Sequence, residues 1–528
     1  MNKLIVVALV VLFGLSAWFR ASSLASLPET DGDEAWHAIQ LVHMMRGEAF
    51  SVRTEHGLPL SPIHALLELP LLLVFKPSYA LLRIPSLLTG MLAVFLIYRL
   101  GSRVFDRTTG LIASALLAAL PVAIIFSRTG YESSHAPLYG VLLLGCAYDR
   151  RVGLLSLLLS FCYFIHPTNI FLLPVLLAAM SFRTIRGPAR PTPDELRSLA
   201  WKMVTPMAIV GAFGIFTLLR PSIGSLSTTY HLGLHGAHDP LRYGVLFGRL
   251  FLGTGRVPRP TADWGTWIVL GVILVGGTVV AIRRRSFDVL ALLAGLITSA
   301  GGLFIVAGSD ILQPGMTRYG LFLVVPTVLL ISRLSALLLI QPTSRWRMVA
   351  RHAQEWALVA ISFLILFSLD ARRLTNQVLD GDPAIGESIW TFGADTKDAR
   401  RLSLDWVAGH RKLDARDRES GTVLIAPDFM TRRSLQYLAL PRRDLKVVEF
   451  HSLGKPDQVA AVMDRQLRDG AFVILPPGHA LEPAIKWLLS PYPYEAKEIR
   501  RGSKTAFVIY RPIVERTRVA GRTSSTPR

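Results

Sequence analysis

Long apolar runs separated by short polar breaks fill residues 4 to about 369, and beyond them short apolar stretches alternate with charge. A bilayer-spanning helix needs ~20 mainly apolar residues, because the hydrocarbon core is ~30 Å thick and each helical residue rises ~1.5 Å. By that measure eleven spans are predicted, at about 3–20, 79–100, 109–127, 134–149, 152–165, 168–183, 203–219, 265–282, 288–308, 318–340 and 355–370. The pair around 152–183 is interrupted by "FIHPTN". Residues 59–76 are apolar too, but their three prolines, His64 and Glu68 read as a re-entrant or interfacial helix. In the last part, "GTVLIAPDF" and "AFVILPPG" read as short buried strands. "DQVAAVMDRQLRDG" reads as an amphipathic helix, and "KTAFVIYRP" as an edge strand. The expected fold class is therefore a polytopic α-helical membrane protein of about 11 spans. Its membrane domain covers 1–370, with a first outer loop at 21–78. An extracytoplasmic α/β domain follows at 371–512, then a tail at 513–528 of disordered composition.

Composition agrees with that pattern. Of 528 residues, 51% are hydrophobic and 18% charged, and a mean hydropathy of +0.42 is too high for a soluble chain of this length. A net charge of +20 raises nucleic acid as a partner. In a membrane protein its first explanation is loop Lys and Arg, so no nucleic acid is expected. With eleven spans the basic loops "YRLGSRVFDR" (98–107), "DRR" (149–151), "SFRTIRGPARPTPDELRSLAWK" (181–202), "RRRSFD" (283–288) and "SRWRMVARH" (344–352) share one face, which the positive-inside rule makes cytoplasmic. The opposite face carries 21–78, 128–133, "HPTN" (166–169), 220–264, "SDILQPGMTRYG" (309–320) and the C-terminal domain. The expected location is the cell (inner) membrane, multi-pass. The first run also has the form of a cleaved signal peptide, but its apolar residues continue to Trp18–Phe19, which favours a retained helix. Cys146 and Cys162 lie inside apolar runs and read as packing residues. No P-loop, dinucleotide fingerprint, zinc spacing or Gly-x-Ser-x-Gly elbow stands in a fitting context.

The candidate chemistry sits on the outer face. "DGDEAWHAIQLVHMM" places Asp31, Asp33 and Glu34 at the start of a predicted helix whose apolar face is Ala35, Ile39, Val42 and Met44/Met45. Acids there cap the helix and favour its dipole in any protein. Arg128 and Glu132 are i,i+4 and form an ion pair if one helix carries both. Arg318 beside Tyr319 suits a phosphate, and its competing reading is an interfacial arginine reaching headgroups. His37 lies one turn from Asp33 and Glu34, so a divalent metal ion is geometrically possible; a helix-surface histidine is the plainer reading. His166 precedes Pro167 and is placed to hydrogen-bond backbone freed by the helix break. His56, His64 and the His231, His235, His238 tract complete the outer-face histidines.

Several of these segments together resemble the type C glycosyltransferases, in the branch of dolichyl-phosphate-mannose protein mannosyltransferases and bacterial aminoarabinose transferases of lipid A. The resemblance covers about residues 1–340. It rests on Asp33-Glu34 after the first span and on Arg83, Pro85, Ser86, Gly90, Tyr98 and Arg99. It rests further on "SRTGYE" (127–132), "HPTN" (166–169) and "TRYGLFLVVP" (317–326). Where that family often has a Lys-Pro-Pro-Leu-Tyr-like element, this chain reads "HGLPLSPIH" (56–64), without a lysine. The resemblance implies transfer of a sugar from a polyprenyl-phosphate donor to a lipid, glycan or protein acceptor. Such a reaction needs a base for the acceptor proton and a cation for the departing phosphate. Asp33 is then the base, Glu34 its support and Glu132 a second acid. Arg128, His166, Arg318, Tyr319 and His37 become candidate substrate-binding residues, with inversion at the anomeric carbon. Other readings are a polyprenyl-diphosphate-using ligase or polymerase, a lipid-linked sugar flippase, and an envelope-glycan sensor. The central spans lack the buried charges that a transport path carries, which weighs against the flippase.

Overall fold

The computed structural model describes residues 3–22, 24–25, 32–52, 60–186, 192–219, 263–307, 316–338, 397–410, 422–427, 429–440, 445–450, 456–491, 493–501 and 504–513. The expected span at 355–370, Asp31, His56, the His231–His238 tract and the tail beyond 513 lie outside them. The chain forms two compact units: residues 1–28 with 40–394, and residues 29–39 with 395–528.

The first unit is helical. Its opening elements are α1 (Lys3–Ala21), α2 (Gly32–Met45, whose start falls in the second unit), α3 (Pro62–Val74), α4 (Tyr79–Val104), α5 (Arg107–Ala119) and α6 (Pro121–Phe126). After a 3₁₀ turn at Glu132–His135 come α7 (Ala136–Tyr148), α8 (Val152–Ser160) and α9 (Cys162–Ile165). A second 3₁₀ segment, Pro167–Leu172, leads into α10 (Leu173–Arg186) and α11 (Pro193–Leu219). Helices Asp263–Arg283 and Phe287–Ala307 follow, then a 3₁₀ segment at Met316–Leu323 that runs into helix Val324–Leu338. Among the described residues three helices are long and apolar enough to cross a membrane, Tyr79–Val104, Phe287–Ile305 and Arg318–Leu338, and shorter apolar helices accompany them. Large apolar side chains such as Val10, Leu66, Leu73, Leu88 and Val275 stand exposed on these helices, as lipid-facing residues do.

The predicted span 109–127 is two helices. Pro121 has no N–H to give Leu117, so α5 stops at Ala119 and α6 starts anew. The freed carbonyls are taken up by Arg20 of α1, which is fully buried: its guanidinium donates to Leu117 O at 2.9 Å, Ala118 O at 2.8 Å and Ser127 Oγ at 3.2 Å. Arg128, just past α6, returns the arrangement by donating to Phe19 O and Ser22 O at the end of α1. Two arginines thus close helix ends on each other's elements. The expected span 152–165 is likewise interrupted, between α8 and α9 at Phe161. Cys146 and Cys162 are free and buried, as read.

Helices α4 and α5 approach closely through glycine. A Cβ on Gly110 would sit 2.6 Å from Tyr98 O and 2.7 Å from Ser102 N, and one on Gly101 would sit 2.9 Å from Gly110 Cα. Small residues at such crossings are what let membrane helices pack. Asp106 caps α5 through Thr109 N at 2.8 Å and pairs with Arg333 at 2.5 Å, tying helix Val324–Leu338 to this corner. Gly110→Val should cost ~1–3 kcal/mol by overpacking, read as a clearly lower thermal midpoint in detergent. Gly153→Ala, with open space around its Cβ, should leave the midpoint unchanged.

The second unit is a five-stranded sheet of order β2-β1-β3-β5-β4: β1 Thr422–Ala426, β2 Leu445–Glu449, β3 Phe472–Leu475, β4 Tyr494–Arg501 and β5 Lys504–Pro512. β1 runs parallel to β2 and β3; β5 is antiparallel to β3 and β4. Leu424, Phe472, Ile474 and Ile509 pack with Leu404, Val407 and Leu435 of helices Lys397–His410 and Phe429–Ala439. Ile425, Val473 and Tyr510 pack with Met463, Leu467 and Ile485 of helices Pro456–Arg468 and Glu482–Leu489. "KTAFVIYRP" is therefore an inner strand, not an edge. The edge beside it is β4, "YEAKEIRR", whose charged side chains suit an unpaired rim.

Candidate functional site

Within the first unit, the polar breaks in the apolar runs come together. The segment around Arg318–Tyr319 packs against both the 3₁₀ turn Glu132–His135 and the break that follows His166. The Arg318 guanidinium lies 5.7 Å from the Tyr131 ring centre and 5.6 Å from the Tyr319 ring centre. Tyr319 meets His166 edge to face, 4.9 Å between centroids. Tyr131 and His166 are buried, while Glu132, Arg318 and Tyr319 are partly exposed. Four residues singled out from sequence, Glu132, His166, Arg318 and Tyr319, thus share one neighbourhood, and Tyr131 joins them. Tyr131 lies in "SRTGYE", but nothing in its spacing marks it as a face for a cation.

His166 does what its place before proline implies. Its ring accepts from Thr168 N at 3.3 Å and lies 2.7 Å from Thr168 Oγ1, starting the 3₁₀ segment, while Asn169 Nδ2 closes the turn on His166 O at 2.9 Å. Burial, with Arg318 adding to it against the pull of Glu132, lowers the His166 pKa to about 4. The unfolded ring takes its proton near 6.5 and the folded ring near 4, so in that window the unfolded state binds more protons and stability falls as pH falls. His166→Gln, which keeps an acceptor for Thr168, should flatten the loss of stability between pH 6.5 and 4 by up to ~3 kcal/mol. Thermal midpoints measured across that range check it.

The element bearing Glu132 is anchored from behind. His135, at the end of the same turn, meets Thr89 Oγ1 of α4 at 2.9 Å and His64 Nδ1 of α3 at 3.0 Å, and His64 Nε2 faces Glu68 at 3.5 Å. His64, Glu68 and His135 are all buried. These contacts tie the turn to α4 through Thr89 and to α3 through His64.

Arg128 is buried by its capping bonds. Burial first, and Arg83 second, lower its pKa to about 9, which leaves it charged at neutral pH. It does not share a helix with Glu132: α6 ends at Phe126 and the next turn starts at Glu132, so the condition for an i,i+4 pair on one helix is not met.

Asp33, Glu34 and His37 open α2 and belong to the second compact unit. Asp33 is partly exposed, whereas Glu34 and His37 are buried. Nearly every side chain from Glu34 to Val42 is enclosed, and Met44 and Met45 are exposed, so the narrow apolar stripe expected of this helix is replaced by burial on most sides. Trp36 packs edge-on to His37 at 5.2 Å and carries the Arg433 guanidinium over its ring at 5.6 Å. Among the described residues no group of three or more His, Cys, Asp or Glu stands ready to hold a metal ion.

No family model and no curated protein matches the sequence. Solved structures do share its fold. ArnT from Cupriavidus metallidurans, bound to undecaprenyl phosphate, superposes with a TM-score of 0.52 over 97% of this chain and 98% of that one, at 13% identity. The archaeal oligosaccharyltransferase AglB from Archaeoglobus fulgidus, in complex with an inhibitory peptide and a dolichol-phosphate, superposes with a TM-score of 0.51 at 12% identity, over 96% of this chain and 74% of that chain.

Proposed function

We propose that this chain, whose fold is that of the type C glycosyltransferases, is an integral-membrane enzyme that moves a sugar from a polyprenyl phosphate to an acceptor on the outer face of the cell membrane, with inversion. The observation that carries the reading is the Arg318 cluster: a guanidinium between two tyrosine rings, beside His166 and near Glu132. A planar, permanently charged fork matches phosphate oxygens two at a time. Two structures of the same fold were solved with a polyprenyl-type phosphate bound.

In the proposed reaction the acceptor oxygen attacks the anomeric carbon and its proton passes to Asp33. The C–O bond to the phosphate breaks, the electron pair leaves with the phosphate, and Arg318 stabilises the charge that develops. Phosphate is already a good leaving group, so one base and one cation suffice. Glu34 supports the Asp33 helix, and Glu132, on its anchored turn, orients a sugar or acceptor hydroxyl. Arg128 holds the loop ahead of Glu132, His166 and Tyr319 hold Arg318, and His37 shapes the first turn of α2. The test is incubation of membranes holding the protein with a panel of labelled polyprenyl-phosphate sugars, wild type against Asp33→Asn, followed by identification of the labelled product. Absence of any product across the panel counts against the reading.

A further inference from the structure

Far along α4 from Thr89, its flank meets α7 and α8 around a cavity of about 610 Å³. Arg103 lies fourteen residues beyond Thr89 on the same helix, ~21 Å at 1.5 Å per residue. This cavity is therefore distinct from the Arg318 cluster. Arg99, Arg103, Arg107 and Arg151 line it, with Asp149 as the one acidic group in its lining. Asp149 accepts from Arg103 at 2.8 Å and faces Arg151 at 3.7 Å. Arg99 and Arg107 have no hydrogen-bond or ion-pair partner among the described residues. Four exposed arginines thus line one cavity with a single carboxylate among them.

The cavity opens onto apolar surface. On α4, Leu88, Leu92 and Phe95 are exposed at the i, i+4, i+7 spacing that continues to Arg99, one face of the helix running ~16 Å from leucine to arginine. Leu142 of α7 and Leu154 and Leu157 of α8 are exposed on the neighbouring helices. At Gly145 the nearest side-chain atoms a Cβ would meet are Arg103 Nη2 at 3.8 Å and Leu100 Cδ1 at 4.0 Å, so this glycine leaves part of the lining open. The ligand that matches is amphiphilic, an anion at the arginines joined to hydrocarbon along α4. Basic pockets between membrane helices hold phospholipid headgroups for this reason, and a free phosphate would have no use for the apolar strip.

We propose that this cavity binds the phosphate headgroup of an anionic membrane phospholipid, with its acyl chains along the Leu88–Phe95 face of α4. The site stands independently of the transfer reaction.

Native mass spectrometry of the delipidated protein, offered equal phosphatidylglycerol and phosphatidylcholine, tests it. Wild type should retain phosphatidylglycerol about tenfold or more over phosphatidylcholine, given the worth of each arginine near an anionic lipid. Arg99→Gln with Arg107→Gln should bring retention down to the phosphatidylcholine level at an unchanged thermal midpoint, since neither side chain serves the fold. Gly145→Leu, which fills the cavity without altering charge, should do the same. Equal retention of the two lipids by wild type would overturn the proposal, as would wild-type retention in either variant. Displacement of phosphatidylglycerol by millimolar inorganic phosphate would make the ligand a free anion and overturn the lipid assignment.

Discussion

Asp33→Asn is expected to lower sugar transfer by about two to four orders of magnitude, the usual worth of a general base, while protein level and thermal midpoint stay close to wild type. Asparagine keeps the size of the side chain and can still accept a hydrogen bond at the helix start. The negative charge is lost, and with it a favourable term of ~0.3–1 kcal/mol with the helix dipole, too little to unfold the protein. Asp33 is partly exposed in the first turn of α2 while Glu34 beside it is buried. The neighbouring carboxylates therefore differ in kind: one can meet an acceptor hydroxyl, the other is built into the interior. Transfer rates with the productive donor, measured on membranes and on purified enzyme, decide the matter. Wild-type rates in Asp33→Asn would remove this residue from the chemistry.

Arg318→Met should cost about 10²–10³ in kcat, in line with the removal of one preorganised charge donor. KM for the donor should change less, because the charge on the phosphate oxygens grows as the sugar departs. Arg318→Lys should fall between the two. It retains the charge but loses the planar fork, and an ammonium stacks less well between Tyr131 and Tyr319 than a guanidinium does. Steady-state kinetics of both variants, with thermal midpoints beside them, test this. A wild-type kcat in Arg318→Met would place the phosphate elsewhere.

Much of the arrangement was legible in the order of apolar runs and polar breaks. "HPTN" stood out as a polar, proline-bearing interruption of two apolar runs and "TRYG" through the family resemblance, and in the fold the two segments face each other through His166 and Tyr319. The C-terminal strands β1 and β3 were visible as short β-branched and aliphatic runs. β4 was not, since an edge strand bearing Glu, Lys and Arg on exposed positions has no apolar alternation to betray it. The break at Pro121 was hidden by its own surroundings: leucine, alanine and isoleucine on both sides read as one span. What stood furthest from view was the pairing of distant groups. Nothing local to Arg20 says that it will serve carbonyls 97 and 98 residues further on, and nothing local to Thr89 or His64 says that they will hold the turn of Glu132.

Arg20 also sets a timetable. A ribosome adds ~5–20 residues per second, so after α1 leaves it roughly five to twenty seconds pass before the carbonyls of Leu117 and Ala118 exist. During that interval the first helix carries a guanidinium whose later partners have not been made, and a charge in the middle of the bilayer is costly. Arg20 lies one residue from the end of α1, where a long side chain can wait at the water interface. The nascent helix can therefore rest at a shallow depth until α5 and α6 arrive, and the order of synthesis becomes part of how the bundle closes.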